Sequence, residues 1–532
     1  MSRYDQRSCT QRHLALIVGG TLLVTSAAHA QLIDCTQAPN VLEEGINKSL
    51  AEEIGAGRGD IMTPGSSLFI VRRDPFRAIR RGRQLFQRKF TRAEGQGPRV
   101  DDGTGDVNTN NAIGAGLADS CAACHGRPRG SAGSGGDVAT RPDSRDAPHL
   151  FGLGLKEMLA DEITSDLRAI EAGAVAKATA SHAPVTRDLT SKGISYGTIT
   201  ALPDGSVNTS DVQGVDPDLR VRPFFAHGGT ISIREFVVGA LNNEMGLQAV
   251  DPDLATASAG GHVVTPAGMV LDGTRDAIES PATADPTADP DADGVTDEVP
   301  ESLVDFMEFY LLNYFRPGEY QQTRQTARGR RVFERLGCDG CHVPDLEIEH
   351  DRRVADVDTA YDPARGIFNT LFATATPLID VVDDLSGLPP LKLPQGGRFL
   401  VHDIFSDLKR HDLGPAFHER NYDGSMRSEF MTLPLWGIAS TGPYGHDGRS
   451  INLTEVILRH GGEAQASRDA FAHLGRIGRD ALMDFFASLV LFPPDDTASN
   501  LDPGNPAATG FPQVAHGSIK LGALFNDPSD RE

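Results

Sequence analysis

Cys121-Ala-Ala-Cys124-His125 and Cys338-Asp-Gly-Cys341-His342 are two copies of one five-residue pattern in a chain of 532 residues. Cys-x-x-Cys-His is the attachment spacing of c-type haem. The two thiols add across the vinyl groups, and the adjacent histidine offers an imidazole to iron. Four of the six cysteines lie in these pentads. A redox dithiol or half of a zinc site would use the same Cys-x-x-Cys, but neither calls for a histidine after the second cysteine, twice. The reading is two covalently bound haem c groups, held through Cys121, Cys124 and His125, and through Cys338, Cys341 and His342.

A second repeat surrounds the pentads. Gly82-Arg-Gln-Leu-Phe86 and Gly329-Arg-Arg-Val-Phe333 share a helical Gly-Arg-x-apolar-Phe pattern ahead of each cysteine pair. The second leads into its pentad within two turns, whereas about thirty residues, including the Gly- and Asn-rich run 108–116, separate the first from its own. Apolar residues at i, i+3, i+4 and i+7 then predict a closing helix over 299–314 and another over 479–492. The interval between His125 and His342 is wider than one small cytochrome requires. It holds predicted strands such as Ile194-Ser-Tyr-Gly-Thr-Ile-Thr200 and an Ala/Pro/Asp linker over 281–300.

Haem c is assembled outside the bacterial cytoplasm, so an export signal is expected. Arg3, Arg7 and Arg12 precede an apolar run from Leu14 to Val24 and then Ala28-His29-Ala30, the order of a cleaved signal peptide. The run is too short to span a bilayer. Cleavage near Ala30 would leave a periplasmic protein without a membrane span, with Cys35 unpaired. Losing three Arg and one Asp with the signal changes the formal charge from −23 to −25. That excess argues against nucleic acid as partner and allows steering of a basic electron donor.

These features, with further segments, resemble the bacterial di-haem cytochrome c peroxidase superfamily, in its longer di-haem oxidoreductase branch. The segments are Ser120-Cys-Ala-Ala-Cys-His-Gly-Arg127, Ala147-Pro-His-Leu-Phe-Gly-Leu-Gly-Leu155, Ala240-Leu-Asn-Asn-Glu-Met-Gly246, His411-Asp-Leu-Gly-Pro415, Leu433-Pro-Leu-Trp-Gly-Ile438, Gly442-Pro-Tyr-Gly-His-Asp-Gly-Arg449 and Leu453-Thr-Glu-Val-Ile-Leu-Arg-His-Gly-Gly-Glu463. The resemblance covers about residues 77–492. It implies a mainly α fold with two cytochrome c-like domains face to face, long loops, and a few short strands inserted in the first. The expected divisions are a signal peptide (1–30), an N-terminal extension (31–76), domain one with its insertion (77–320), domain two (321–495) and a tail (496–532).

The resemblance also implies a division of labour in which one haem reacts with peroxide and the other receives electrons. The second haem needs a sixth ligand, and His460, on a helix beginning near Asn452, is the candidate. The peroxidases place methionine there, and exchanging thioether for imidazole lowers the reduction potential. Gly461-Gly462 is expected to let the backbone approach the ring. For the first haem an open site is expected, with His149 as the alternative ligand. Glu244 matches the acidic residue near the peroxidatic haem and is the candidate acid/base. The family's interhaem tryptophan is replaced by Ala226, so Phe224, Phe225 or His227 is expected to make that contact, and the single tryptophan, Trp436, lies elsewhere in the chain.

Two calcium readings stand. Thr441 and Pro443, with Asp146, match an interdomain site of the peroxidases. Separately, Asp289-x-Asp291-x-Asp293-Gly294-x-x-Asp297 has EF-loop spacing but ends on Pro300 where a bidentate glutamate is usual. The leading function is a periplasmic peroxidase that takes electrons from a small redox partner, of cytochrome c or cupredoxin type, and delivers them to hydrogen peroxide. The alternatives are a haem oxygenase of the rubber-cleaving type, acting with dioxygen, and a non-enzymatic di-haem carrier.

Overall fold

Both Gly-Arg-x-apolar-Phe segments form helices in the computed structural model. It describes residues 49–97, 118–126, 132–133, 137–138, 145–314, 322–361, 371–421, 424–439, 441–489 and 519–521. All of these fall within one unit, Pro39–Glu532. The signal segment, Cys35, the 108–116 run and most of the tail lie outside them.

Pro75–Gln87 starts with proline at its first turn, where the missing N–H costs nothing. It buries Ala78, Ile79, Gly82, Leu85 and Phe86 against the helix Glu301–Leu312. Gly82 is the crossing point: a Cβ there would lie 2.1 Å from the Phe306 carbonyl oxygen. Arg324–Arg335 repeats the arrangement. Thr323 and Thr326 cap it reciprocally, and Gly329 crosses Arg476–Phe486 so closely that a Cβ would meet the Ala481 carbonyl oxygen at 2.0 Å. Phe333 then packs on Phe485 and Phe486, with ring centroids 5.7 and 6.0 Å away. The second closing helix begins and ends earlier than the 479–492 periodicity suggested.

The buried apolar residues divide into two clusters. The larger one gathers the first crossing pair and the strand-bearing insertion. The smaller one gathers Val332, Phe333, Phe405, Phe471, Leu482, Phe485, Phe486 and Leu489. A helix of 29 residues, Leu153–Ser181, runs through the first half and packs on Val185–Ser191, the edge of a three-stranded antiparallel sheet. Its apolar periodicity is weak because burial is dense in the N-terminal half and thins to Ala174 and Ala178 in the rest, which is why no sequence pattern announced it.

The expectation of a mainly α fold with strands confined to the first half needs correction. Small two- and three-stranded sheets also fill residues 346–431, among them Leu346–Ile348 with Phe399–Val401 and Arg410–Asp412 with Glu429–Met431. The architecture is mixed, many helices plus several small sheets. Apart from the seven-residue pair Ala355–Tyr361 and Leu371–Pro377, these strands have two to four residues and hold too few alternations to register as a period of two.

Arg234 locks the insertion to the closing helix. It is fully buried and pairs with Asp251 (2.7 Å), Asp305 (2.8 Å) and Glu308 (3.0 Å). A buried cation requires such partners, and these tie helix Ile233–Ala240 to Glu301–Leu312. Among the described residues no helix is long and apolar enough to cross a membrane.

Candidate functional site

The first pentad is itself a one-turn helix, Cys121–His125, started by Ser120, whose hydroxyl accepts from Ala123 N–H. His125 Nδ1–H donates to the Pro148 carbonyl at 2.7 Å. That bond fixes the tautomer and leaves Nε2 as the nitrogen an iron would take. Burial lowers the ring's pKa to about 4, against the opposing pull of the Pro148 and Gly133 backbone, so the imidazole is neutral, as ligation demands. Cys121 and Cys124 form no disulfide. Burial pushes the Cys121 thiol up to about 12, the reverse of the activated thiolate a redox dithiol needs.

The second pentad has the same logic in different backbone. Cys338–Gly340 is a 3-10 turn, and His342 Nδ1–H donates to the Phe405 carbonyl at 2.9 Å. Burial again lowers the ring to about 4, and nearby His460 adds to the effect. Cys338 is likewise held up at about 12 by burial and then by Asp339. Phe333 and Phe405 line this side, their rings 5.6 Å apart.

His460 ends the helix Leu453–Arg459, which Asn452 caps. Its Nδ1–H donates to the Val456 carbonyl at 2.7 Å, and burial lowers its pKa. The ring meets Phe417 edge-on at 5.3 Å. Neighbouring histidines are committed otherwise. His411 bonds Asp407 through Nε2 (2.9 Å) and Glu463 through Nδ1 (2.8 Å). Burial opposes its charge, but the bonds to Asp407, Cys341 and Glu463 prevail and raise it to about 11. His446 Nε2 lies 2.8 Å from Glu419, and its ring stacks on Phe430 at 3.9 Å. His411 alone of the three has both ring nitrogens hydrogen-bonded, while His446 Nε2 faces the Glu419 carboxylate without a hydrogen bond and His460 is oriented through Nδ1. Gly462 lets the chain pass the Asp412 carbonyl, which a Cβ would meet at 2.1 Å.

Glu244 sits in a single π-helical turn, Leu241–Met245, which continues Ile233–Ala240 and closes on Gly246. Such turns recur at functional sites because they push one side chain out of the helical register. The turn lies beside the first pentad: burial raises the Cys124 thiol, and the Glu244 charge raises it further. Gly97 N–H bonds the Met245 carbonyl at 3.0 Å, and Arg234 anchors the preceding helix.

His149 and Trp436 were read separately in the sequence, and the fold brings them together. Trp436 is buried against Gly152, whose Cβ would come within 2.7 Å of the indole, and its carbonyl accepts from His149 Nε2–H at 3.0 Å. Since Pro148 already receives His125, His149 lies behind the pentad histidine. Burial, then Lys156, lowers it to about 3. The 222–228 segment is also near, with Lys156 over Phe224 and Ala226 bonded to Met431.

Of the two calcium readings, Thr441 and Pro443 flank the cis Gly442–Pro443 bond, while the Asp146 side chain lies outside the described residues. The Asp289, Asp291 and Asp293 carboxylates do converge, with ligand atoms within 4.8 Å of one another. Asp297 is exposed and outside that group.

Residues 366–489 match the model of the family described as "Di-haem oxidoreductase, putative peroxidase". No curated protein matches the chain. Among solved structures, a hydrazine synthase of Kuenenia stuttgartiensis, pressurised with 20 bar xenon, aligns over 35% of this chain and 55% of its own length, with 16% identity and a TM-score of 0.21. This chain therefore spans about half the length of that structure, and a likeness so slight carries no argument. The segment matched by that family model holds His411 and His460.

Proposed function

We propose, for a chain whose residues 366–489 match the di-haem oxidoreductase family model, that it is an exported di-haem c peroxidase. His125 holds the reactive haem, and His342 with His460 holds the electron-transfer haem. When bound, haem supplies the redox-active iron and the open coordination position that peroxide chemistry uses. The observation that carries the reading is an asymmetry between the two pentads. Beside His342 stands a second neutral imidazole, His460, oriented by its own backbone bond, whereas beside the first pentad stands a carboxylate, Glu244.

The residues have separable tasks. The Pro148 and Phe405 carbonyls orient the two pentad imidazoles. Glu244 carries a proton for the peroxide oxygens. A bonded path joins the two pentad histidines: His125 to Pro148, His149 to Trp436, Leu435 N–H to the Ile404 carbonyl (3.2 Å), and Phe405 to His342. It offers electrons a route made of covalent and hydrogen-bonded steps. The acidic surface favours a small basic donor of cytochrome c or cupredoxin type.

Intact mass after periplasmic expression with haem-maturation machinery is expected to show two covalent haems on a chain starting near Gln31. One haem or none sinks the reading. Electron paramagnetic resonance of the ferric protein should then show one high-spin and one low-spin centre, whereas two low-spin centres mean a carrier. His460→Gly should add a second high-spin signal. His460→Met should keep the centre low-spin and raise its potential by about 100 mV or more. Unchanged spectra in both variants remove His460 from the iron.

A further inference from the structure

We propose that Asp289, Asp291, Asp293 and Glu298 form a calcium site that fastens the 289–298 loop to the turn carrying Glu244. The first three residues follow EF-loop spacing, and each brings an oxygen within 4.8 Å of the others. The loop is already wrapped for the purpose. Asp289 accepts from Asp293 N–H (3.2 Å) and Gly294 N–H (3.0 Å), and Asp293 accepts from Val295 N–H (2.7 Å). Gly294, at φ +96°, makes the sharp turn that position six of such loops requires.

The fourth carboxylate is the independent observation. Glu298 is 2% exposed. One of its oxygens accepts from Gln248 N–H at 2.6 Å, while Oε1 is buried and without a hydrogen-bond partner. Asp291 Oδ1 is buried and unpartnered in the same way. Burial, followed by the charges of Asp291, Asp293 and Asp289, pushes Glu298 up to about 8, and burial with Asp293 pushes Asp291 up to about 6. Among the described residues no Arg or Lys pairs with any of the four. Carboxylates gathered and desolvated without a cation are costly, and a hard divalent ion with oxygen ligands and flexible geometry removes that cost. Glu298 takes the role that the EF pattern gives to the glutamate at position twelve, here Pro300.

The site reaches the first pentad's surroundings directly. Gln248, held by Glu298, bonds Asn242 Oδ1 through its side-chain amide at 3.1 Å, and Asn242 belongs to the π turn of Glu244. Gly95 leaves room for the glutamate, since a Cβ there would come within 2.3 Å of its carboxyl carbon. The inference is independent of the peroxidase reading.

The test uses holoprotein stripped with a chelator, then titrated with calcium chloride by calorimetry and melted with and without the ion. We expect saturable binding and a calcium-dependent rise in melting temperature. Glu298→Gln and Asp291→Asn should each weaken binding by at least about tenfold. In chelator above about pH 9, where both carboxylates are ionised, the same variants should melt at or above the wild-type temperature, because each removes a repelled charge. Absence of binding overturns the proposal. So does binding that both variants retain at wild-type strength, which would point to calcium elsewhere, as at Thr441 and Pro443. Variants that melt lower in chelator would show a merely structural role and also overturn it.

Discussion

Glu244→Gln is expected to slow turnover with hydrogen peroxide by about 10²–10⁴, the usual contribution of a positioned acid/base. The amide keeps the size of the carboxylate and its hydrogen-bonding reach but cannot accept and return a proton at neutral pH. Glu244 lies close enough to Cys124 for its charge to be felt by that thiol. It also sits in a π turn held by Arg234, Gly97 and Gln248 rather than in a loose loop. The substitution should therefore leave both haem spectra and the melting temperature nearly unchanged. A purely structural Glu244 predicts the opposite, a lower melting temperature with turnover per folded molecule retained. Stopped-flow peroxide reaction and thermal melting of the one variant separate the two, and undiminished turnover removes Glu244 from the mechanism.

Gly329→Val should destabilise the second helix pair by about 3 kcal/mol or more, at the upper end of overpacking costs. The first carbon of any side chain there would stand 2.0 Å from the Ala481 carbonyl oxygen and 2.6 Å from Phe485 Cβ. Backbone cannot rotate away as a flexible side chain can, so the helices must separate. Separation would loosen Phe333 from Phe485 and Phe486, the aromatic wall beside His342. Reduced haem content at the second pentad should accompany the lower melting temperature, and mass and calorimetry read the two effects. Gly173, in the exposed half of the long helix, is the control. A Cβ there meets nothing within 4 Å, so Gly173→Ala should be neutral or add up to about 1 kcal/mol of stability. A Gly329→Val protein that melts like wild type would mean the helices do not cross there.

The crossing helices were legible because their evidence is local. Gly82 with Phe86 and Gly329 with Phe333 repeat one pattern at one spacing, and a helix faces its partner with residues three and four apart. The two Cys-x-x-Cys-His pentads were legible for the same reason, since each is a pattern of five consecutive residues. The long helix was missed because its burial thins to Ala174 and Ala178 in the second half, and most strands of 346–431 because they are too short to show a period.

The amino-acid sequence by itself determined the two attachment pentads, the paired helices, the acidic loop and His460 as the histidine to examine. Tertiary structure alone decided which ring nitrogens remain available. His411 is bonded to Asp407 and Glu463 and His446 lies against Glu419, and nothing in their spacing reveals those partners. It also decided that Trp436 meets His149, and that Glu298 is buried with an unpartnered oxygen while Asp297 is exposed. Spacing encodes what neighbouring residues can do within one turn of chain. Burial and a hydrogen-bond partner come from segments hundreds of residues away, and they set the tautomer, the charge and the unmet oxygen on which the chemistry depends.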